Sequence, residues 1–167
     1  LIIGGGHSGL ATAYYWRRTQ LQYFILDAQA QTGSALQHTW DSLHLFSPHE
    51  ASSLPGFLMP ASEGDYPTKK EVLQYLKTYE ERYQFPIERP VKAETVAWDG
   101  ELFSVSTDQG PYQSRTLVSA TGTWTEPYLP EYPNRHLFSG YQVHSAFYQN
   151  GSSFEGQKVL IVGGGNS

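Results

Sequence analysis

Cysteine is absent from the 167 residues. That excludes a disulfide framework, a thiolate metal site and a redox dithiol in this chain. Positive charge is scarce, with 11 Lys and Arg against 16 Asp and Glu and a net charge of −5. A basic nucleic-acid surface is therefore not expected. No apolar run reaches the ~18 residues of a membrane span, and no basic-plus-apolar leader precedes the first strand. A cytoplasmic protein without a membrane partner is the expectation. His38, His44 and His49, beside Glu50, are spaced six and five apart, which fits neither a helical pair nor a zinc pattern, so no metal is expected. The G-x-S-x-G elbow of serine hydrolases is missing as well.

What the chain has instead is a glycine-rich opening. Leu1-Ile2-Ile3 is a short apolar β-type run, Gly4-x-Gly6-x-x-Gly9 follows directly, and residues 10–18 suit a helix. Strand, glycine turn and helix in that order form a dinucleotide fingerprint. Gly4 permits the tight turn, Gly6 lets a diphosphate approach the helix N-terminus, and Gly9 lets helix and strand pack closely. His7 and Ser8 add backbone N–H groups at that end. Residues 22–27 read as the next parallel strand, and its final Asp27 lies 23 residues after Gly4. That is near the offset of about 20 for the acid that accepts ribose hydroxyls. A carboxylate there suits a free diol and repels a 2′-phosphate, so FAD or NAD is expected in this first site. A glycine turn with no ligand is the alternative.

From Ala28 to Tyr66 there is no clean periodicity, and Pro48, Pro55 and Pro60 punctuate the stretch. It reads as a long ordered loop, a kind of segment that is usually functional. Thr68-x-x-Glu71 is a capping box, and the apolar spacing that follows predicts a helix to about Tyr83, stopped by Pro86. The Tyr and Leu stripe on that helix reads as core packing. Three β-type runs then follow, residues 91–96, 102–107 and 112–120, with turns at Asp99-Gly100 and Asp108-Gln109-Gly110. They suggest a meander whose last part returns to the parallel sheet and ends at Ala120-Thr121-Gly122. Three prolines between residues 125 and 133 mark an extended connector, and Gly151-Ser152-Ser153 a flexible linker. Residues 157–167 then repeat the opening, with Ile161-Val162-Gly163-Gly164-Gly165-Asn166-Ser167 matching Ile2 to Ser8. The chain begins inside one strand and stops inside this second fingerprint, so a part of a longer protein with two nucleotide domains is expected. The fold class is α/β: a Rossmann-like FAD-binding domain with a parallel sheet and an inserted β-meander, plus the first strand of a second Rossmann domain. The boundaries are 1–150 with the connector, 151–156 as linker, and 157–167 as the start of the NAD(P)H-binding domain.

Paired fingerprints, a meander, Ala-Thr-Gly at a strand end and Phe138-x-Gly140-x-x-x-His144-x-x-x-Tyr148 together resemble the flavin-containing monooxygenases with FAD and NADPH domains. Trp40 to Pro48 and Tyr66-Pro67-Thr68 are similar to bacterial members of that group. The resemblance spans the whole chain and implies FAD held by Gly4, Gly6, His7, Ser8, Gly9, Asp27 and Ala28. Trp40 and His44 from the loop, and Ala120, Thr121 and Gly122 from the strand end, are further cofactor contacts, and Val91 gives a backbone pair to adenine. Gly163 and Gly165 open the NADPH site. His144 is the catalytic candidate, as a donor at the hinge near nicotinamide; the alternative is a connector histidine that bonds backbone. One departure is clear: Gly33-Ser34-Ala35-Leu36 stands where the family usually has G-G-x-W, so the ring beside the flavin is missing or Trp40 supplies it. The implied reaction is flavin reduction by NADPH, O2 activation as a C4a-hydroperoxide, and oxygen transfer to a small organic substrate. An NAD(P)H:acceptor reductase and a non-catalytic dinucleotide-binding module are the alternatives. Expected partners are the substrate and O2, with a homodimer as the open assembly state.

Overall fold

β-branched residues are stiff at χ1 and suit strands buried on both faces. In the computed structural model, which describes residues 1–165, such residues form the middle of a parallel sheet. The first strand β1 (Ile2–Ile3) pairs with β2 (Ile25–Leu26) on one side and β7 (Val118–Ser119) on the other. The fourth strand β3 (Ile87–Glu88) adds parallel to β2, giving the order β3-β2-β1-β7. Helix α1 (His7–Trp16) connects β1 to β2, and α2 (Lys69–Tyr83) lies in the connection from β2 to β3. This is a Rossmann-like arrangement. Leu10, Ala13 and Tyr14 of α1 pack with Val72, Tyr75, Leu76 and Tyr79 of α2 in one buried cluster that also takes in Ile2 and Ile25.

The capping box on α2 forms as expected: Thr68 accepts from the Glu71 amide and the Glu71 carboxylate accepts from the Thr68 amide. The helix stop differs from expectation. Gln84, left-handed at φ 48°, closes the helix by donating to the Glu80 carbonyl, two residues before Pro86.

The meander is β4 (Ala93–Trp98), β5 (Phe103–Thr107) and β6 (Gly110–Ser114), all antiparallel. Its boundaries differ from the sequence reading in two places. Val91 lies outside β4, because its amide donates instead to the Asp27 carbonyl at 2.8 Å. The third run divides into β6 and β7, and its last part returns to the parallel sheet as expected, the Val118 and Ala120 amides donating to the Leu1 and Ile3 carbonyls.

Residues 28–66 carry little regular structure beyond a 3₁₀ turn at Ser34–His38. Three tyrosines spaced four apart on α2 fix this loop. Tyr75 accepts from the Leu54 amide and donates to the Phe57 carbonyl, Tyr79 donates to Pro55, and Tyr83 donates to Gly56. The stripe read as core packing is thus also a row of hydroxyls. The connector returns to the loop, with the Asp41 amide donating to the Gln149 carbonyl at 2.9 Å. Residues 158–162 form no β-ladder among the described residues; Val159, Leu160, Ile161 and Val162 are exposed, and a strand needs a neighbour to take its backbone groups. Asn166 and Ser167 of the second fingerprint lie outside the described residues.

Candidate dinucleotide site

Open parallel sheets bind ligands beyond the carboxyl ends of their strands. Here that edge gathers Gly4 to Gly6 after β1, Asp27 after β2, Arg89 after β3 and Ala120 after β7. Helix α1 starts at the same edge without a cap. Gly6 contributes no side chain, and the first turn carries no acid. The first intrahelical bond runs from the Leu10 amide to the Gly6 carbonyl at 2.9 Å. The amides of His7, Ser8 and Gly9 therefore leave the helix end with no acceptor among the described residues. Free N–H groups and the helix dipole at one point favour an anion. Burial pulls the His7 imidazole below its usual pKa, so the ring is neutral at this end.

The glycines separate into two kinds. A side chain at Gly9 would run into the Gly4 carbonyl, and one at Gly4, held at φ +109°, would run into the Ala120 carbonyl. Both are fixed by close packing of backbone. Gly6 is different, since a Cβ there would find only the Ser34 side chain, at 3.6 Å. A Cβ there would make ordinary contact and no clash, so close backbone packing does not require this glycine.

Asp27 sits where the sequence places it, at the end of β2, but it is not a bare carboxylate. It is 2% exposed. Its Oδ2 takes a 2.9 Å bond from Arg89 Nη2, while Oδ1 faces the Gln29 amide at 3.2 Å and the Ser34 hydroxyl at 3.4 Å. Arg89 also holds Glu80 of α2 through Nη1 at 2.7 Å and Nη2 at 3.0 Å, with Thr32 bridging the two. Burial works against the Arg89 charge, but the bonds and charges of Glu80 and Asp27 outweigh it and raise the pKa. A guanidinium thus shares the strand-end position with the expected carboxylate. A buried acid at a strand end must be paired or neutralised, yet no sequence pattern identifies which cation will do so. Sequence reasoning missed Arg89, Glu80 and Thr32 for that reason.

The remaining candidates fall into three groups. Ala120 and Thr121 are brought together with Gly4, their backbone lying against it, and Gly122 follows, exposed, at φ +66°. Ala28 is exposed directly after Asp27. Val91 has spent its amide on Asp27, so only its carbonyl is left for a base. Trp40 and His44 lie on the long loop, and among the described residues neither hydrogen-bonds to the glycine turn; His44 Nδ1 instead pairs with the Ser42 carbonyl at 3.0 Å. His144 is placed in the connector, where Nδ1 accepts from the Ala146 amide at 3.1 Å and caps a 3₁₀ turn, Ser145–Phe147. Gly163 and Gly165 are exposed on the unpaired final segment, away from the first turn in the chain's order. No cluster of three or more His, Asp or Glu suited to a metal occurs among the described residues, and no helix there is long and apolar enough to cross a membrane.

Comparison with known proteins gives consistent likenesses. The family model described as pyridine nucleotide-disulphide oxidoreductase matches residues 1–167. An uncharacterized CzcO-like oxidoreductase of Geobacillus kaustophilus is 35% identical over the whole chain and 48% of its own length. A probable indole-3-pyruvate monooxygenase, YUCCA1 of Arabidopsis thaliana, is 36% identical over the whole chain and 42% of its own length. Among solved structures, the flavin-containing monooxygenase from Stenotrophomonas maltophilia superposes with a TM-score of 0.88 at 49% identity, covering 92% of this chain and 47% of that one. The chain thus spans about half the length of the proteins it matches.

Proposed function

The chain belongs to the pyridine nucleotide-disulphide oxidoreductase family, and on that premise we propose that it is the FAD-binding part of an NADPH-dependent flavoprotein monooxygenase acting on a small organic substrate. The observation that carries this reading is the uncapped start of α1, with three amides that have no acceptor among the described residues, next to the side-chain-free Gly6 at the carboxyl edge of the sheet. The likeness to a flavin-containing monooxygenase supports the choice of FAD.

The residues present fit the cofactor's diphosphate as they stand. The amides of His7, Ser8 and Gly9 hold its charge, Gly6 gives it room, and the neutral His7 ring leaves neutralisation to backbone and dipole. At the ribose end Asp27 Oδ1 would be the acceptor for a sugar hydroxyl, in exchange for its long contacts with Gln29 and Ser34. Bound FAD supplies the redox chemistry between NADPH and O2, and the protein supplies position and exclusion of water. The loop bearing Trp40, tied to α2 by Lys69 on the Thr39 carbonyl and to the connector by the Gln149 carbonyl, is the candidate wall for the flavin side. Residues 1–150 form the FAD domain with its connector, 151–156 the linker, and 157–167 the start of the NADPH domain, with Gly163 and Gly165 in its fingerprint. A cytoplasmic location and a homodimer belong to the same proposal, the second readable by gel filtration.

The test uses the intact protein. It should purify yellow with a flavin absorption spectrum, consume NADPH and O2 together, and oxygenate a sulfide, amine or ketone. NADPH oxidation without any oxygenated product would assign it as an acceptor reductase. Failure to carry or bind FAD would overturn the proposal. His144→Ala should slow flavin reduction by NADPH more than it weakens FAD retention; an unchanged reduction rate would confine His144 to capping its turn.

A further inference from the structure

Two oxygens of one carboxylate are treated differently at the end of β2. Asp27 Oδ2 is fixed by a charge-assisted bond of 2.9 Å from Arg89. Oδ1 has only the Gln29 amide at 3.2 Å and the Ser34 hydroxyl at 3.4 Å, both from the following loop. We propose that Arg89 is a positioning residue for the adenosine ribose of the cofactor: it holds Asp27 by one oxygen and so presents the other as the exchangeable acceptor for a sugar hydroxyl. This rests on the FAD-binding reading above.

Three observations support it. The guanidinium is itself fixed from the far side, where Glu80 takes bonds from both Nη1 and Nη2, so its direction toward Asp27 is set by α2. The side chains are closed to water, at 15% exposure for Arg89, 3% for Asp27 and 12% for Glu80, so the pairing is poorly screened. The pair also lies directly under the glycine turn. A Cβ on Gly5 would stand 2.5 Å from Asp27 Oδ2 and 3.0 Å from Arg89 Nη2, so the turn that faces the diphosphate rests on the carboxylate and its partner. A planar fork bonds both carboxylates in one fixed geometry, whereas an ammonium has the donors but not the rigid fork.

A residue that merely joins α2 to the sheet would change stability without changing affinity, and the experiment separates these. FAD dissociation constants are measured by flavin fluorescence on the deflavinated intact protein, beside thermal melts of the same samples without FAD. Arg89→Met should weaken FAD binding by about tenfold or more, with Arg89→Lys recovering part of the loss. In an Asp27→Asn background the further effect of Arg89→Met should shrink to about threefold or less, because the route through Asp27 is already cut. Glu80→Gln should lower the melting temperature yet keep FAD affinity within about threefold, since the glutamine oxygen still accepts from the guanidinium and keeps it directed at Asp27. An Arg89→Met protein that melts lower but binds FAD as wild type overturns the proposal. So does full additivity with Asp27→Asn, or a Glu80→Gln protein that loses as much affinity as Arg89→Met. If Arg89→Met does not fold, Arg89→Lys and Glu80→Gln decide alone: affinity must fall in the first and hold in the second. A wild-type protein that binds no FAD defeats the functional reading itself; unchanged affinity in Arg89→Met defeats only this one.

Discussion

The two long helices begin in opposite ways. At the start of α2, Thr68 and Glu71 satisfy each other's amides reciprocally, and those bonds hold the Glu71 carboxyl below its usual pKa. At the start of α1 there is no cap, no acid and no side chain at Gly6, and three amides have no acceptor. The same four orphan donors arise at any helix start, so the difference lies in what satisfies them. In α2 the protein closes its own helix and gains stability. In α1 the donors stay without an acceptor among the described residues, and the loss is carried by packing, with Leu10 and Ala13 fully buried against the sheet and α2. A helix end that forgoes local stability beside tightly packed glycines is what the proposed diphosphate site needs.

This contrast can be broken from several directions. The largest effect is expected for Gly9→Ala, which drives a methyl into the Gly4 carbonyl. Denaturant midpoints should report a loss of about 3 kcal/mol or more. Next, Gly6→Asp turns the open end into a closed one without a clash, since a Cβ there meets nothing nearer than 3.6 Å. The FAD-free protein should gain a few tenths to about 1 kcal/mol. FAD affinity should fall by about a hundredfold or more, because a carboxylate then faces a diphosphate; a gain in affinity would show that α1 is not the anion site. Thr68→Ala removes the cap on α2 and should cost about 1 kcal/mol in unfolding experiments, with FAD titrations unchanged. The smallest effect concerns His7. Its folded pKa lies below the unfolded value near 6.5, so the unfolded chain binds the extra proton first and stability drops as pH falls through that window. Wild type should lose melting temperature relative to His7→Gln between about pH 7 and pH 5; parallel pH profiles would contradict this.

The parts legible in the sequence are those specified by neighbours in the chain. The glycine turn and the capping box follow from local spacing, and Thr68 and Glu71 meet as their positions require; β3, only Ile87–Glu88, was not legible, because two residues after a proline carry no strand pattern of their own. Features built from distant residues were not legible. Asp27 and Arg89 are 62 positions apart, and their pairing depends on β2 and β3 lying side by side. The tyrosine hydroxyls are similar: an i, i+4 stripe implies a buried face, but not that Tyr75, Tyr79 and Tyr83 would hold the Leu54-to-Phe57 backbone. The return of the last part of residues 112–120 to the parallel sheet was legible, while the gap between β6 and β7 was not, because it arises from which sheet each half joins.

Gly5 stands at a position that dinucleotide fingerprints leave free, yet here its face is closed by the Asp27–Arg89 pair. Transplanting a fingerprint with alanine or serine at that place would force the carboxylate and guanidinium apart even though the motif itself stays intact. A library randomising residue 5 should therefore return glycine, and larger residues only alongside compensating changes at 27 or 89. The tolerance of the loop is written in strands that follow it, not in the loop.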